Sequence, residues 1–229
     1  MQRNLVLPLI FGLAGAAVLI WLGVWQMQRL EWKQGILSRI ETRIAAEPVA
    51  LPESFEPEAD RYLPVAVTGQ FGDGALRVLV SRKQVGAGYL VISPFVTEAG
   101  RRILVDRGFI RQSDALPGPP EGELTVSGNL HWPDDRNSST PENDVAGNTW
   151  FARDLGQMAE VLETEPVLLV ARELSQPEDA VTPLPVDTAH IPNDHLQYAI
   201  TWFSLAAIWL GMTGFYIFRD RGAEKGLDR

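Results

Sequence analysis

Near the C-terminal end of the chain, a histidine stands at the head of a long uncharged run: Asn193-Asp194-His195-Leu196-Gln197-Tyr198-Ala199-Ile200-Thr201-Trp202-Phe203. The run continues to residue 218 without a charged side chain. A helix rises about 1.5 Å per residue, so a run of this length can cross the roughly 30 Å apolar core of a bilayer. Asp194 is a suitable N-cap, and Gln197 follows it in the capping-box position. The sequence therefore predicts a transmembrane helix over residues 195–218, with His195 in its first turn.

Helical spacing predicts that several side chains of this run share one face. They recur at steps of three or four residues: His195, Tyr198, Trp202, Ala206 and Trp209. An imidazole above a stripe of aromatic and small side chains is suited to a flat apolar ligand. From spacing alone, the favoured interpretation is the commoner one, a helix-capping histidine above a belt of interfacial aromatic residues.

A second uncharged run lies near the N-terminus and predicts a transmembrane helix over residues 5–26. Its apolar core is too long for the h-region of a signal peptide, and no small-x-small cleavage site follows it, so we expect an uncleaved anchor. Gly12 and Ala16 form a small-xxx-small pair suited to close packing against the C-terminal helix. We expect the helix to continue past the membrane towards residue 46, with Trp25, Arg29 and Trp32 on one side.

The distribution of charge predicts the topology. The chain has 229 residues and a net charge of −9, and the charge is concentrated between the two apolar runs. Such an acidic segment speaks against nucleic acid or an anionic membrane face as a partner. The basic tail, residues 219–229, is expected in the cytoplasm together with residues 1–4, which places residues 27–194 in the periplasm. Because no Arg/Ser-rich transit segment precedes the first run, a bacterial inner membrane is the expected location.

Between the apolar runs, short segments with alternating apolar residues predict a small sheet or open barrel with one helix. The predicted strands are residues 62–71, 75–80, 88–96, 102–110, 124–131, 150–153 and 166–172, and the predicted helix is residues 155–162. We expect two hairpins, one turning at Gly72-Asp73-Gly74 and the other across residues 97–101. The predicted fold is that of a membrane protein with two transmembrane helices flanking a mostly antiparallel β (α+β) soluble domain.

The sequence contains no recognisable catalytic constellation. It has three histidines and no HExxH, GxSxG or P-loop motif. It has no cysteine, which excludes disulfides, Cys-based zinc sites and covalently attached haem. Asp187, His190 and His195 are spaced too loosely for any known metal motif, and His190 is interpreted as a surface residue. Asp106-Arg107-Gly108 is interpreted as an ion pair at a strand end. We therefore expect that the protein is not an enzyme.

Several motifs follow one another between the two terminal spans. They are Leu22-Gly23-Val24-Trp25-Gln26 with Arg29 and Trp32-Lys33, Gly86-Ala87-Gly88-Tyr89 leading to Pro94-Phe95, Val105-Asp106-Arg107-Gly108-Phe109-Ile110, Asn148-Thr149-Trp150-Phe151-Ala152-Arg153-Asp154, and Asn193-Asp194-His195-Leu196-Gln197-Tyr198 with Thr201-Trp202-Phe203. In this order, they resemble the Surfeit locus protein 1 family of cytochrome c oxidase assembly factors. The resemblance covers nearly the whole chain, but residues 112–147 match the family pattern poorly.

The resemblance implies a protein that helps to insert haem a into the catalytic subunit of cytochrome c oxidase, with haem a synthase as a further partner and lipid around its spans. It also implies non-covalent, transient binding of haem a, with His195 as the iron ligand. On this interpretation Tyr198 and Trp202 line the haem, and Arg29 meets a propionate at the same interface. Two alternatives remain: a structural scaffold for the oxidase subunit that binds no haem, and a membrane-anchored hydrolase or binding module of the cell envelope.

Overall fold

The computed structural model describes residues 6–82, 85–189 and 191–225. The chain divides into two compact units, one formed by its two ends, up to Arg39 and from Ala189 onward, and the other by Ile40–Thr188. Two long helices dominate the first unit, α1 (Val6–Ile44), which runs on into the second unit, and α4 (His195–Lys225). By length and composition, the apolar parts of both helices can cross a membrane. These helices begin close to the predicted positions, and α1 ends within two residues of the predicted end.

Within the first unit, α1 and α4 pack in an antiparallel direction. Gly12, early in α1, meets Thr213, late in α4, whereas Gly23 meets Phe203 and Gln26 meets His195. Small residues line the contact, since Ala16, Ala199 and Ala206 are each no more than 3% exposed. The predicted small-residue packing is confirmed, because glycine and alanine allow two helix backbones to approach closely.

The second unit contains a six-stranded sheet. Its elements are α2 (Pro57–Asp60), β1 (Pro64–Phe71), β2 (Leu76–Arg82), β3 (Gly86–Thr97), β4 (Arg102–Arg111), β5 (Leu124–His131), α3 (Leu155–Leu162) and β6 (Leu168–Leu174). The strand order is β1-β5-β6-β4-β3-β2, and a further pairing of β1 with β3 closes five strands into a ring. Only β4 and β6 pair in parallel, so the expected mostly antiparallel domain is confirmed.

The predicted hairpin between β1 and β2 is wrong. Strand β3 is twelve residues long, and it pairs with β2 over Gly86–Ile92 and with β1 over Phe95–Thr97. The other edge of β1 pairs with β5. The turn at Gly72-Asp73-Gly74 therefore connects β1 to β2, which pair with different parts of β3 and not with each other. The second predicted hairpin, β3 with β4, is confirmed.

Two smaller predictions also need correction. The predicted strand at residues 150–153 is only a single bridge between Trp150 and Val78. The chain cannot extend further there because Asp154 already caps α3, its side chain accepting a hydrogen bond from the Gln157 amide. The last strand, β6, begins two residues later than predicted and ends at Leu174.

Apolar side chains fill both faces of the central strands. On β4, Ile103 and Val105 point into one buried cluster, while Leu104 points into another that α3 covers with Met158 and Leu162. Strands covered on both faces read as nearly continuous apolar runs, as β4 and β6 do. The sheet unit therefore has its own core on each side of the barrel wall.

Candidate functional site

His195 is the first residue of α4 and contacts a buried glutamine of α1. The His195 Nδ1 atom lies 2.8 Å from the Gln26 Oε1 atom, and Gln26 is 9% exposed. The Asp194 carbonyl accepts the first helical hydrogen bond, from the Tyr198 amide at 3.1 Å. The predicted helix start is thus confirmed. Gln26 was missed as a site residue, although it ends one of the motifs quoted above.

The face of α4 that carries His195 is turned towards α1. Trp202 and Trp209 on this face are half-buried, and Ala206 between them is 3% exposed. The indole Nε1 of Trp209 donates a hydrogen bond of 2.9 Å to the Gly12 carbonyl. Around Ala206 and Trp209 the predicted aromatic stripe is therefore a helix–helix interface, filled by α1.

Tyr198 does not share this face. Its side chain is 54% exposed, and the neighbouring Ala199, 1% exposed, takes the inward position. An inward stripe runs through residues 195, 199, 202 and 206, alternating steps of four and three residues, which keeps the stripe centred on the contact. Tyr198 lies one step to the side of the stripe.

Trp202 differs from Trp209 in how its indole N–H is used. The Trp202 Nε1 atom is buried, yet it has no hydrogen-bond partner among the residues that the structure describes. The buried Asn193 Oδ1 atom, just before α4, also lacks a partner within this described part of the chain. A buried polar group without a partner costs about 1–3 kcal/mol. Among the residues that the structure describes, this end of the helix pair therefore carries two buried polar atoms without a partner.

Arg29 lies on an exposed flank of the same helix pair. Its guanidinium carbon stacks 3.9 Å from the ring centroid of Trp32. The rings of Phe11 and Trp209, 5.6 Å apart, mark one flank of the pair. Arg29 and Tyr198 are both exposed residues of the helix pair.

The described residues contain no group of three or more histidine, cysteine or acidic side chains that could hold a metal ion. Of the loosely spaced trio considered above, His190 lies outside the described residues. On the described face, His195 is the side chain with a nitrogen that suits a transition metal or haem iron.

Arg107 in the sheet unit is a buried anchor. Its side chain is fully buried and forms an ion pair with Glu178, while it also donates to Ser93 and to the carbonyls of Pro117 and Gly118. The interpretation of Arg107 as a strand-end ion pair understated this role. A buried ion pair is stable only if its remaining hydrogen-bond donors also find partners, and those of Arg107 do. Arg107 therefore fastens two long loop segments to β4.

A second ion pair joins Arg153, whose side chain is 10% exposed, to Asp135, whose side chain is 29% exposed. The Arg153 Nε atom lies 2.7 Å from Asp135 Oδ2, and its Nη1 atom lies 3.9 Å from Asp106 Oδ2. Burial pushes the pKa of Asp135 upward, but the hydrogen bonds and charge of Arg153 outweigh it and hold that pKa below its ordinary value. Burial also acts to lower the pKa of Arg153, and the hydrogen bond and charge of Asp135 raise it overall. Both charges are compensated inside the domain, which is typical of a structural pair.

Comparison with known families matches residues 13–207 to the model of the SURF1 family. The chain is 33% identical to Surfeit locus protein 1 of Homo sapiens over 210 residues, which cover 81% of this chain and 69% of the human protein. It is 34% identical to a SURF1-like protein of Monosiga brevicollis over 90% of this chain and 85% of that protein. It is 30% identical to a SURF1-like protein of Rickettsia felis, over 90% of this chain and 92% of the relative. The matched region includes Gln26, Arg29, His195 and Trp202.

Proposed function

Because the chain belongs to the SURF1 family, we propose that it is a cytochrome c oxidase assembly factor that binds haem a and helps to insert it into the catalytic subunit of the oxidase. The observation that carries the proposal is the position of His195, at the head of an apolar helix pair whose Trp202 N–H is buried without a partner among the described residues. The proposed role is that of a chaperone and not of an enzyme.

The residues at this end of the helix pair fit a haem. An imidazole nitrogen is a common axial ligand of haem iron, and a chain without cysteine must hold haem by ligation and apolar contact. The buried Trp202 N–H, which has no partner among the described residues, is a donor suited to an oxygen of the ligand. Haem a carries a formyl oxygen at its edge, whereas haem b does not. Trp202 is therefore the residue that we propose for recognition of haem a.

Arg29 and Tyr198 complete the proposed site on the exposed flank. A guanidinium is the side chain best suited to a propionate carboxylate, because it donates two parallel hydrogen bonds. Stacking on Trp32 holds the Arg29 side chain near its helix, so less side-chain freedom is lost on binding. Tyr198, which is 54% exposed, is proposed to supply an aromatic ring. Haem, when bound, would supply the iron for the imidazole, and these residues would hold and orient it.

The proposed location is a bacterial inner membrane crossed by α1 and α4, with the sheet unit in the periplasm and both termini in the cytoplasm. Two antiparallel spanning helices place both chain ends on one side, and the basic tail favours the cytoplasm. The proposed partners are the oxidase catalytic subunit and haem a synthase. A cytoplasm-active reporter fused after Arg229 should be active, and a periplasm-active one inactive; the reverse pattern would reject this topology.

Replacement of His195 tests the haem proposal directly. The protein, purified in detergent from cells that make haem a, should show a Soret band, and His195→Ala should abolish or strongly shift it because the axial ligand is lost. Leu196→Ala is the matched control, since Leu196 is the next residue and is 51% exposed. A His195→Ala variant with wild-type spectrum and haem content would reject His195 as the ligand. A wild type without haem that still binds the oxidase subunit would favour the scaffold alternative.

A further inference from the structure

Gln26 is an unusual residue for its position. It lies within the uncharged run of α1, yet it is a polar side chain and is 9% exposed. Burial of an amide without hydrogen bonds costs free energy, so a polar side chain at such a site needs a partner. Its Oε1 atom has one in the His195 Nδ1 atom at 2.8 Å. The polar contact between α1 and α4 at this end thus joins one glutamine to the histidine of the proposed site.

The chemistry of the two atoms determines which ring nitrogen carries the proton. An amide oxygen only accepts hydrogen bonds, so the Nδ1 atom of His195 must donate. A neutral imidazole carries one proton, and when it is on Nδ1 the lone pair of Nε2 is free. Histidines that ligate metals commonly donate their other N–H in this way, which fixes both tautomer and ring orientation.

We propose that Gln26 is a positioning residue that holds His195 as the Nδ1–H tautomer, so that Nε2 is presented to the ligand. This proposal rests on the proposed haem site for its purpose, but the tautomer itself is a property of the protein without haem. Gln26 acts through His195 and need not touch the haem.

The first test measures the tautomer in the full chain without haem. The protein is labelled with ¹⁵N-histidine in detergent at about pH 8, where an ordinary imidazole is neutral. Nitrogen–proton couplings then report which ring nitrogen is protonated, and His195→Gln identifies the signal. We expect Nδ1–H in the wild type and in Gln26→Glu, which keeps an oxygen acceptor. Gln26→Leu should shift His195 towards Nε2–H, the form that free histidine favours in water. A wild-type Nε2–H signal would overturn the proposal, because Gln26 would then donate to the ring.

The second test measures the effect on haem. Gln26→Leu should lower haem affinity about tenfold or more, as loss of a residue behind a metal ligand commonly does, and Gln26→Glu should restore part of it. Gln28→Leu is the matched control, because it removes an exposed glutamine two residues away on the same helix. If the wild type binds haem and Gln26→Leu binds it with the same affinity and spectrum, the positioning role is overturned and the proposed function is left intact. Absence of haem from the wild type would instead reject the proposed function, while the tautomer measurement would still decide what Gln26 does.

Discussion

The two ends of the helix pair use the same residue types in different ways. At one end Trp209 packs over Gly15 and donates its indole N–H to the Gly12 carbonyl, 2.9 Å away. At the other end Trp202, on the same helix face, has a buried N–H without a partner in the described chain. Helix packing alone accounts for the first end. Since nearly all buried polar groups of native proteins are hydrogen-bonded, the Trp202 N–H is the group at the second end for which we propose a ligand as partner.

Two arginines of the sheet unit follow the pattern of the Trp209 end, because each has partners within the chain. Arg107 is fully buried, and its donors reach Glu178, Ser93 and two carbonyl groups. Arg153 is likewise held by Asp135. Charged side chains with partners inside the chain are accounted for by a structural role, whereas buried polar atoms without partners need a further explanation. The sheet unit also holds buried polar atoms without a partner among the described residues, such as the Trp150 Nε1 and Asn129 Oδ1 atoms. The end with His195 is therefore singled out by its imidazole at the head of an apolar helix pair, and not by such atoms alone.

The largest effect is expected from a bulky side chain at Gly12, where α1 and α4 are in close contact. A Cβ atom at Gly12 would overlap the side chain of Thr213, whereas one at Gly211 would meet nothing within 4 Å. Gly12→Leu should therefore separate the helices, with a cost of at least about 1–3 kcal/mol. Cysteines introduced at Gly23 and Phe203, which are in contact, would report this as a rate of disulfide formation at least tenfold lower. Gly211→Leu is the control, and equal crosslinking rates in the two variants would contradict the close packing.

A smaller effect is expected from Arg29, which is exposed on α1 and stacks on Trp32. Arg29→Gln should weaken haem binding about tenfold, equivalent to about 1.4 kcal/mol, because one charge-assisted hydrogen-bonded pair is lost. The wild-type affinity should fall with added salt, and the variant should lose most of that dependence. Arg39→Gln removes the same charge from an exposed position further along α1 and serves as the control. Equal losses in both variants would mean that general charge, and not Arg29, attracts the ligand.

Much of the fold could be predicted because it rests on local patterns. Long uncharged runs gave α1 and α4, and alternating residues gave the strands with errors of a few residues. The predicted pairing of β1 with β2 was wrong because turn residues indicate a change of chain direction and not which strands pair. Nothing in residues 72–74 shows that β3 is long enough to pair with both strands. The role of Arg107 was underestimated for a similar reason, since its partner Glu178 is far away in the sequence.

The shared helix face of His195 and Trp202 could be predicted from the sequence, whereas their role in binding haem stays a prediction. His195 and Trp202 follow from helical spacing, and both lie on the inward face. Tyr198 has almost the same spacing, but the position of the partner helix decides which neighbour turns inward, and here it is Ala199. Gln26 was not recognised because a single glutamine at the end of an apolar run is also typical of a membrane interface. Only the position of His195 across the contact gives it a role.

The smallest expected effect compares the two tryptophans directly. Trp209→Phe and Trp202→Phe remove the same atoms from two half-buried positions on one helix face, so the loss of apolar area is similar. Trp209→Phe also breaks the hydrogen bond to Gly12, which should cost a further ~0.5–1 kcal/mol. Trp202→Phe removes an N–H without a partner among the described residues, so no hydrogen bond is lost and an unfavourable buried donor disappears.

In thermal unfolding of the haem-free protein in detergent, Trp202→Phe should therefore be the more stable variant. Added haem a should raise the unfolding temperature of Trp209→Phe more than that of Trp202→Phe, because Trp209→Phe keeps the donor that we propose for the formyl oxygen. Equal unfolding temperatures without haem would mean that the Trp202 N–H finds a partner in the protein by itself, and the two ends would then not differ in the way described.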